Sequence, residues 1–178
     1  MIVSLIGFMG CGKSSVGRRL SELLCCPFMD LDAVIEQKVD RTIPEIFATD
    51  GEAAFRQLES DALNDIITRY CSEPAQNNHP VMILSLGGGT VTQQRCAEIV
   101  KDKSVCIYLR TEVDTLVKRL ADEAAGRPLL KGSDLRSRIE TLMEQRSAIY
   151  ESVCHHTVDT DGKSIEIVAQ EILSALRI

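Results

Sequence analysis

Short apolar runs alternate along this chain with longer stretches in which apolar residues recur at helical spacing. Ile2 to Ile6, Val81 to Leu86 and Ser104 to Leu109 are largely apolar on both parities, the pattern of strands covered on both faces of a parallel sheet. Phe28-Met29 and His156 to Val158 are weaker runs of the same kind. Between them lie four stripes with a helical repeat. Val16, Leu20, Leu23 and Leu24 fall on one face of Gly12 to Leu24, and Phe55, Leu58, Ala62, Ile66 and Tyr70 on one face of Glu52 to Tyr70. Leu135, Ile139, Leu142, Met143, Ile149 and Val153 mark Asp134 to Val153, while Ile165, Val168, Ile172 and Leu176 mark the last helix. Leu31, Val34, Ile35 and Val39 predict a further helix directly after the second run.

This alternation predicts an α/β domain of three layers with right-handed crossovers. Ligands of such sheets bind beyond the carboxyl ends of the strands, which singles out the loops after Ile6, Met29 and Leu86. Cys71 to Pro80 is polar and predicts a surface loop. Ala121 to Ser133 combines Gly126, Arg127, Pro128 and Gly132, which suits a flap that closes over a site.

Composition narrows the picture. The 178 residues, 44% hydrophobic and 26% charged, suffice for a core and are too apolar for a disordered chain. A net charge of −6 with no basic block disfavours long nucleic acid, whose affinity comes from neutralising phosphates, but leaves room for a small anion held by local arginines. No apolar stretch approaches the roughly 20 residues of a bilayer span. The seven cysteines form no C-x-x-C pair, and the three histidines have no metal-ligand spacing. Reduced thiols in a cytoplasmic protein are expected, with no membrane segment, no cleaved signal and no zinc site.

The strongest chemical signal is Gly7-Phe8-Met9-Gly10-Cys11-Gly12-Lys13-Ser14, a G-x-x-x-x-G-K-S loop placed after a strand and before a helix. Its glycines let backbone N–H groups converge on phosphate oxygens, and the helix adds its positive N-terminal end. Lys13 would reach the β- and γ-phosphates, and the Ser14 hydroxyl would ligate Mg²⁺. The bland alternative is a glycine-rich turn with a surface lysine.

Other positions are open to two readings each. Asp30 and Asp32 suit helix capping, or else a metal and an acceptor hydroxyl. Arg56, with Glu52 at i−4 and Glu59 at i+3, suits a solvated ion-pair ladder or an anion site. Arg146 lies on the apolar stripe of its helix and needs a partner, either a structural acid or a bound carboxylate. Gly87-Gly88-Gly89 is a flexible turn or a set of main-chain donors, and Arg127 an ordinary loop arginine or one that closes on a phosphate.

Taken in order, the glycine loop, Phe28-Met29-Asp30-Leu31-Asp32, Phe55-Arg56-x-x-Glu59, Leu86-Gly87-Gly88-Gly89, Arg127-Pro128-Leu129-Leu130 and Arg146-x-x-x-Tyr150 resemble shikimate kinase over nearly the whole chain. The resemblance implies a P-loop kinase of the nucleoside monophosphate kinase-like group. Its fold would be a three-layer α/β/α domain spanning 1–178 around a central five-stranded parallel sheet, with a substrate-binding helical segment near 31–60 and a lid near 121–133. The activity implied is transfer of the γ-phosphoryl group of ATP to the 3-hydroxyl of shikimate, giving shikimate 3-phosphate and ADP on the way to chorismate and the aromatic amino acids.

It also implies roles. Lys13, Asp32 and Arg127 would be catalytic, and Ser14 and Asp30 would hold Mg²⁺. ATP would lie on Gly10, Cys11, Gly12, Lys13, Ser14, Ser15, Arg119, Arg127 and Lys163, with Arg119 and Lys163 beside the adenine. Shikimate would be held by Asp32, Arg56, Gly87, Gly88, Gly89 and Arg146. A cytoplasmic monomer is expected, with ATP and shikimate as small-molecule partners. Two rivals stand beside this reading: a kinase of gluconate or a nucleotide, and a nucleotide-binding regulatory module without turnover.

Overall fold

Ile2–Ile6 (β1) is buried along its whole length, and its β-branched Ile2, Val3 and Ile6 suit an extended backbone. It is the middle strand of a five-stranded parallel sheet in the order β2-β3-β1-β4-β5, whose other members are Phe28–Asp30 (β2), Met82–Ser85 (β3), Val105–Arg110 (β4) and His156–Asp159 (β5). The computed structural model describes residues 1–71, 82–121, 128–130 and 134–177. The helices among them are Lys13–Leu24 (α1), Leu31–Val39 (α2), Ile43–Thr49 (α3), Gly51–Cys71 (α4), Gln94–Lys103 (α5), Val113–Leu120 (α6), Leu135–Val153 (α7) and Ile165–Leu176 (α8).

Strand side chains alternate between two apolar clusters. Ile2, Ile6, Met82, Leu84, Cys106 and Tyr108 face one way and pack with Leu31, Ile35, Phe55, Leu63, Val100 and Tyr150. Val3, Leu5, Ile83, Ile107 and Leu109 face the other way and pack with Val16, Leu20, Leu116, Val168 and Ile172. A period of two along each strand therefore feeds both outer layers, which is why the central runs are apolar on both parities. The register Ile2↔Met82 and Ser4↔Cys106 aligns the strands so that their carboxyl ends open on one edge.

The strands and long helices stand where the apolar pattern puts them, to within a residue or two. Helices α3, α5 and α6 lie outside the stripes read from the apolar pattern. α3 is opened by a reciprocal cap, Thr42 with Glu45, and by Pro44 in its first turn, but at seven residues it is too short to show a stripe. Val81, most of the polar stretch after Cys71, Arg127 and the greater part of the flap lie outside the described residues.

Candidate active site

The chain leaves β1 at Ile6 and turns through Gly7, Gly10 and Gly12, which hold φ of 142°, 80° and 99°. Gly10 and Gly12 sit in the left-handed region open to glycine, and Gly12 caps α1 without any side-chain bond to its first amides. Lys13 is 8% exposed, and its ammonium donates to Gly7 O and Phe8 O at 3.0 Å each, with Cys11 Sγ at 3.7 Å. Among the described residues no carboxylate pairs with this buried cation, which is held by carbonyls inside the loop, so an anionic phosphate is a stronger partner than those it has. Ser15 and Ser14 continue the wall of a recess of about 660 Å³.

At the end of β2, Asp30 caps α2 and also meets Ser14 of the glycine loop. Its Oδ1 accepts from Asp32 N at 3.1 Å as the cap of α2, and its Oδ2 accepts from Ser14 Oγ at 2.6 Å. A hydroxyl and a carboxylate side by side are hard oxygen donors of the kind Mg²⁺ takes. Asp32 lies two residues further on, and its buried Oδ1 has no hydrogen-bond partner among the described residues. Burial, reinforced by the negative charges of Asp30 and Glu59 and opposed by Lys13, pushes its carboxyl up to about 6. Asp32 lines both this recess and a second one of about 220 Å³.

The second recess has an apolar side and a cationic side. Phe47 and Phe55 stack at 4.9 Å, and the Arg56 guanidinium lies 5.4 Å from the Phe55 ring centre. Arg56 pairs with Glu52 at 3.0 Å and with Glu59 at 2.5 Å. The ion-pair ladder is therefore real, solvated at its Glu52 end and buried at its Glu59 end. Glu59 is 0% exposed and also accepts from Thr90 Oγ1 at 2.6 Å. Arg146 is 6% exposed and donates to Gly88 O at 3.2 Å, and among the described residues no acid pairs with it. The sequence left a structural acid or a bound carboxylate as its partner, and the first is not found there.

Gly87, Gly88 and Gly89 are set by close approach. A Cβ on Gly87 would stand 2.7 Å from Glu59 Oε1 and 2.8 Å from Asp32 Oδ1. One on Gly89 would stand 2.6 and 2.7 Å from the Arg56 guanidinium nitrogens, and one on Gly88 3.1 Å from Met9 N of the glycine loop. At the far end of the first recess, Arg119 donates to Gly10 O at 3.3 Å and Lys163 pairs with Glu171 at 2.7 Å, alongside Thr160 and Ile165. Glu59, Thr90 and Tyr150 take up roles at the site that sequence reading did not give them. The signals were Glu59 three residues after Arg56 and Tyr150 four after Arg146, each on the same helix face as its arginine.

A glycine loop with its lysine and serine at the carboxyl end of the central strand, opening onto a recess walled by arginines, defines a P-loop phosphotransferase acting on a small molecule. The particular family follows from comparison with known proteins. A sequence profile described as "SKI: Shikimate kinase" matches residues 9–177. Shikimate kinase of Dictyoglomus turgidum is 37% identical over 177 residues, covering 98% of this chain and 96% of that protein. Shikimate kinase of Rhodococcus jostii is 39% identical over 172 residues, covering 97% and 95%. The solved structure of shikimate kinase from Acinetobacter baumannii in complex with shikimate superposes with a TM-score of 0.90 at 34% identity, covering 99% of this chain and 92% of that one. The chain belongs to the shikimate kinase family, whose members are ATP-dependent kinases that phosphorylate an alcohol group. A gluconokinase from Sinorhizobium meliloti, at a TM-score of 0.55 and 17% identity, shares the fold alone.

Proposed function

We propose that this chain transfers the γ-phosphoryl group of ATP to the 3-hydroxyl of shikimate, and that the ring carboxylate lies between Arg56 and Arg146. The observation that carries the reading is Arg146, buried at the edge of the second recess with a backbone carbonyl rather than an acid for company. A buried guanidinium cannot shed its charge, so a carboxylate ligand completes it. Asp32, shared by the two recesses, then stands between the acceptor and the phosphate loop, where it accepts the hydrogen bond of the attacking hydroxyl and orients it. Phosphoryl transfer needs little activation of its nucleophile, so holding the reactants in line is the larger part of the work.

Lys13 leaves the Gly7 and Phe8 carbonyls for the β- and γ-phosphate oxygens, and the glycine-loop amides of Gly10, Cys11, Gly12 and Ser15 surround the same groups. Ser14 and Asp30 would hold Mg²⁺, which when bound neutralises charge on those oxygens. Arg127, in a lid near 121–133, is assigned to the transferred phosphoryl group, and Arg119 and Lys163 to the adenine end. The acceptor is taken by the segment near 31–60, and the three parts act as one domain, 1–178. We propose a cytoplasmic monomer, in keeping with seven cysteines that are all unbridged. The test is ADP release with ATP and Mg²⁺, comparing shikimate with gluconate and with no acceptor. Shikimate alone should support turnover, and equal or faster turnover with gluconate overturns the proposal.

A further inference from the structure

The Gly87-Gly88-Gly89 turn has no side chains to hold its peptide planes, and glycine accepts backbone angles on either side of a peptide flip at little cost. Something else must fix it. The Gly88 carbonyl accepts from two donors on one helix, Arg146 Nη1 at 3.2 Å and Tyr150 Oη at 2.5 Å. Both lone pairs of that oxygen are thus engaged from α7. Tyr150 is 0% exposed and stacks on Tyr108 at a centroid distance of 5.1 Å, so its ring cannot swing aside. Burial also holds its hydroxyl well above the ordinary tyrosine range, so it remains a donor wherever the enzyme works.

We infer that Tyr150 is a positioning residue for acceptor binding, and that it works through the Gly88 carbonyl rather than by touching substrate. Two consequences follow from the geometry. A trans peptide carries its N–H opposite its C=O, so pinning the Gly88 oxygen toward α7 turns the Gly89 N–H away from that helix and keeps it there. The same oxygen accepts from Arg146, so Tyr150 also fixes the point from which the guanidinium is aimed. Gly88 further packs against the phosphate loop, since a Cβ there would meet Met9 N at 3.1 Å. The turn is held in place from both recesses. This inference rests on the proposed grip of Arg146 on the acceptor carboxylate.

Steady-state kinetics of Tyr150→Phe test it, with Tyr108→Phe as the matched control. Tyr108 is equally buried and hydrogen-bonds Ser147, so losing its hydroxyl is a comparable insult that leaves the glycine turn alone. Y150F should raise the KM for shikimate about five- to tenfold, the worth of one buried hydrogen bond, with the KM for ATP and kcat within about twofold. Y108F should lower Tm with no change in either KM. An unchanged shikimate KM in Y150F, or equal rises for both substrates, overturns the inference. If the wild type itself shows no shikimate-dependent ADP release, the proposed function fails instead, and the two failures are distinct. Should Y150F not fold, 3-fluorotyrosine placed at position 150 gives a second readout. Its ¹⁹F resonance should move on titration with shikimate and stay put with ATP alone, and a resonance indifferent to shikimate overturns the inference.

Discussion

Asp32 concentrates the tension of the site in one side chain. Its carboxyl is pushed up to about 6 from an ordinary 3.8 because burial and neighbouring acids disfavour the charge. The folded state therefore binds this proton more tightly than the unfolded chain does. The stability this contributes is complete below about 4 and is lost as pH rises through about 6, leaving the fold to bear an ionised buried acid at neutral pH. Asp32→Asn should thus melt higher than wild type at pH 8, by up to about 3 kcal/mol, with the advantage gone below pH 4 in paired thermal melts. In the wild type, kcat/KM for shikimate should fall as pH drops through about 6, where the acceptor of the hydroxyl proton is titrated away. Asp32 was legible in the sequence as a candidate because it follows a strand. Its raised affinity for a proton was not, because that depends first on burial and, beyond the neighbouring Asp30, on Glu59, which is 27 positions away along the chain and is brought close only by packing.

The elements behave differently according to their length. Long helices such as α4 and α7 repeat their apolar stripe often enough to be read directly, and the central strands show themselves by being apolar on both parities. α3 offers only its cap, and the three-residue β2 shows only the short apolar run Phe28-Met29. The triple-glycine turn shows why such short pieces matter. Gly89 has φ of −111°, an angle any residue adopts, so its need for glycine comes from the Arg56 guanidinium lying against it. Gly89→Ala should leave the backbone in place and push the Arg56 head aside, since that head is the flexible end of a side chain. The expected outcome is a rise of about tenfold in the shikimate KM with a Tm within a few degrees of wild type, checked by kinetics and calorimetry.

Over the whole molecule, the sheet order sets the chemistry. β1, β2 and β3 are neighbours, so the glycine loop, the Asp30–Asp32 pair and the glycine turn emerge together at one edge of the sheet. α4 and α7 then bring Arg56 and Arg146, 90 positions apart in the chain, to the same recess. Ligands that bind only this assembled state must stabilise it. Shikimate, and separately a non-hydrolysable ATP analogue, each at about 100 times its Kd, should add about 2.7 kcal/mol, a rise of roughly 5–10 °C in Tm. Arg146→Ala should lose the shift produced by shikimate and keep the one produced by the nucleotide. A shift retained for both would place the carboxylate elsewhere.

What the sequence alone determined is whatever depends on neighbours along the chain: the period of two or of 3.6, the glycine loop between strand and helix, and the ordered motifs that mark the family. These are local because backbone geometry repeats over a few residues. What the local pattern left open was decided only by the tertiary structure. Arg56 takes the acids its own helix offered at i−4 and i+3, but that Glu59 lies fully buried was not legible, and Arg146, with no acid at helical spacing, takes a glycine carbonyl from another element. Burial and the meeting of distant elements are properties of packed layers that no single stretch of chain contains.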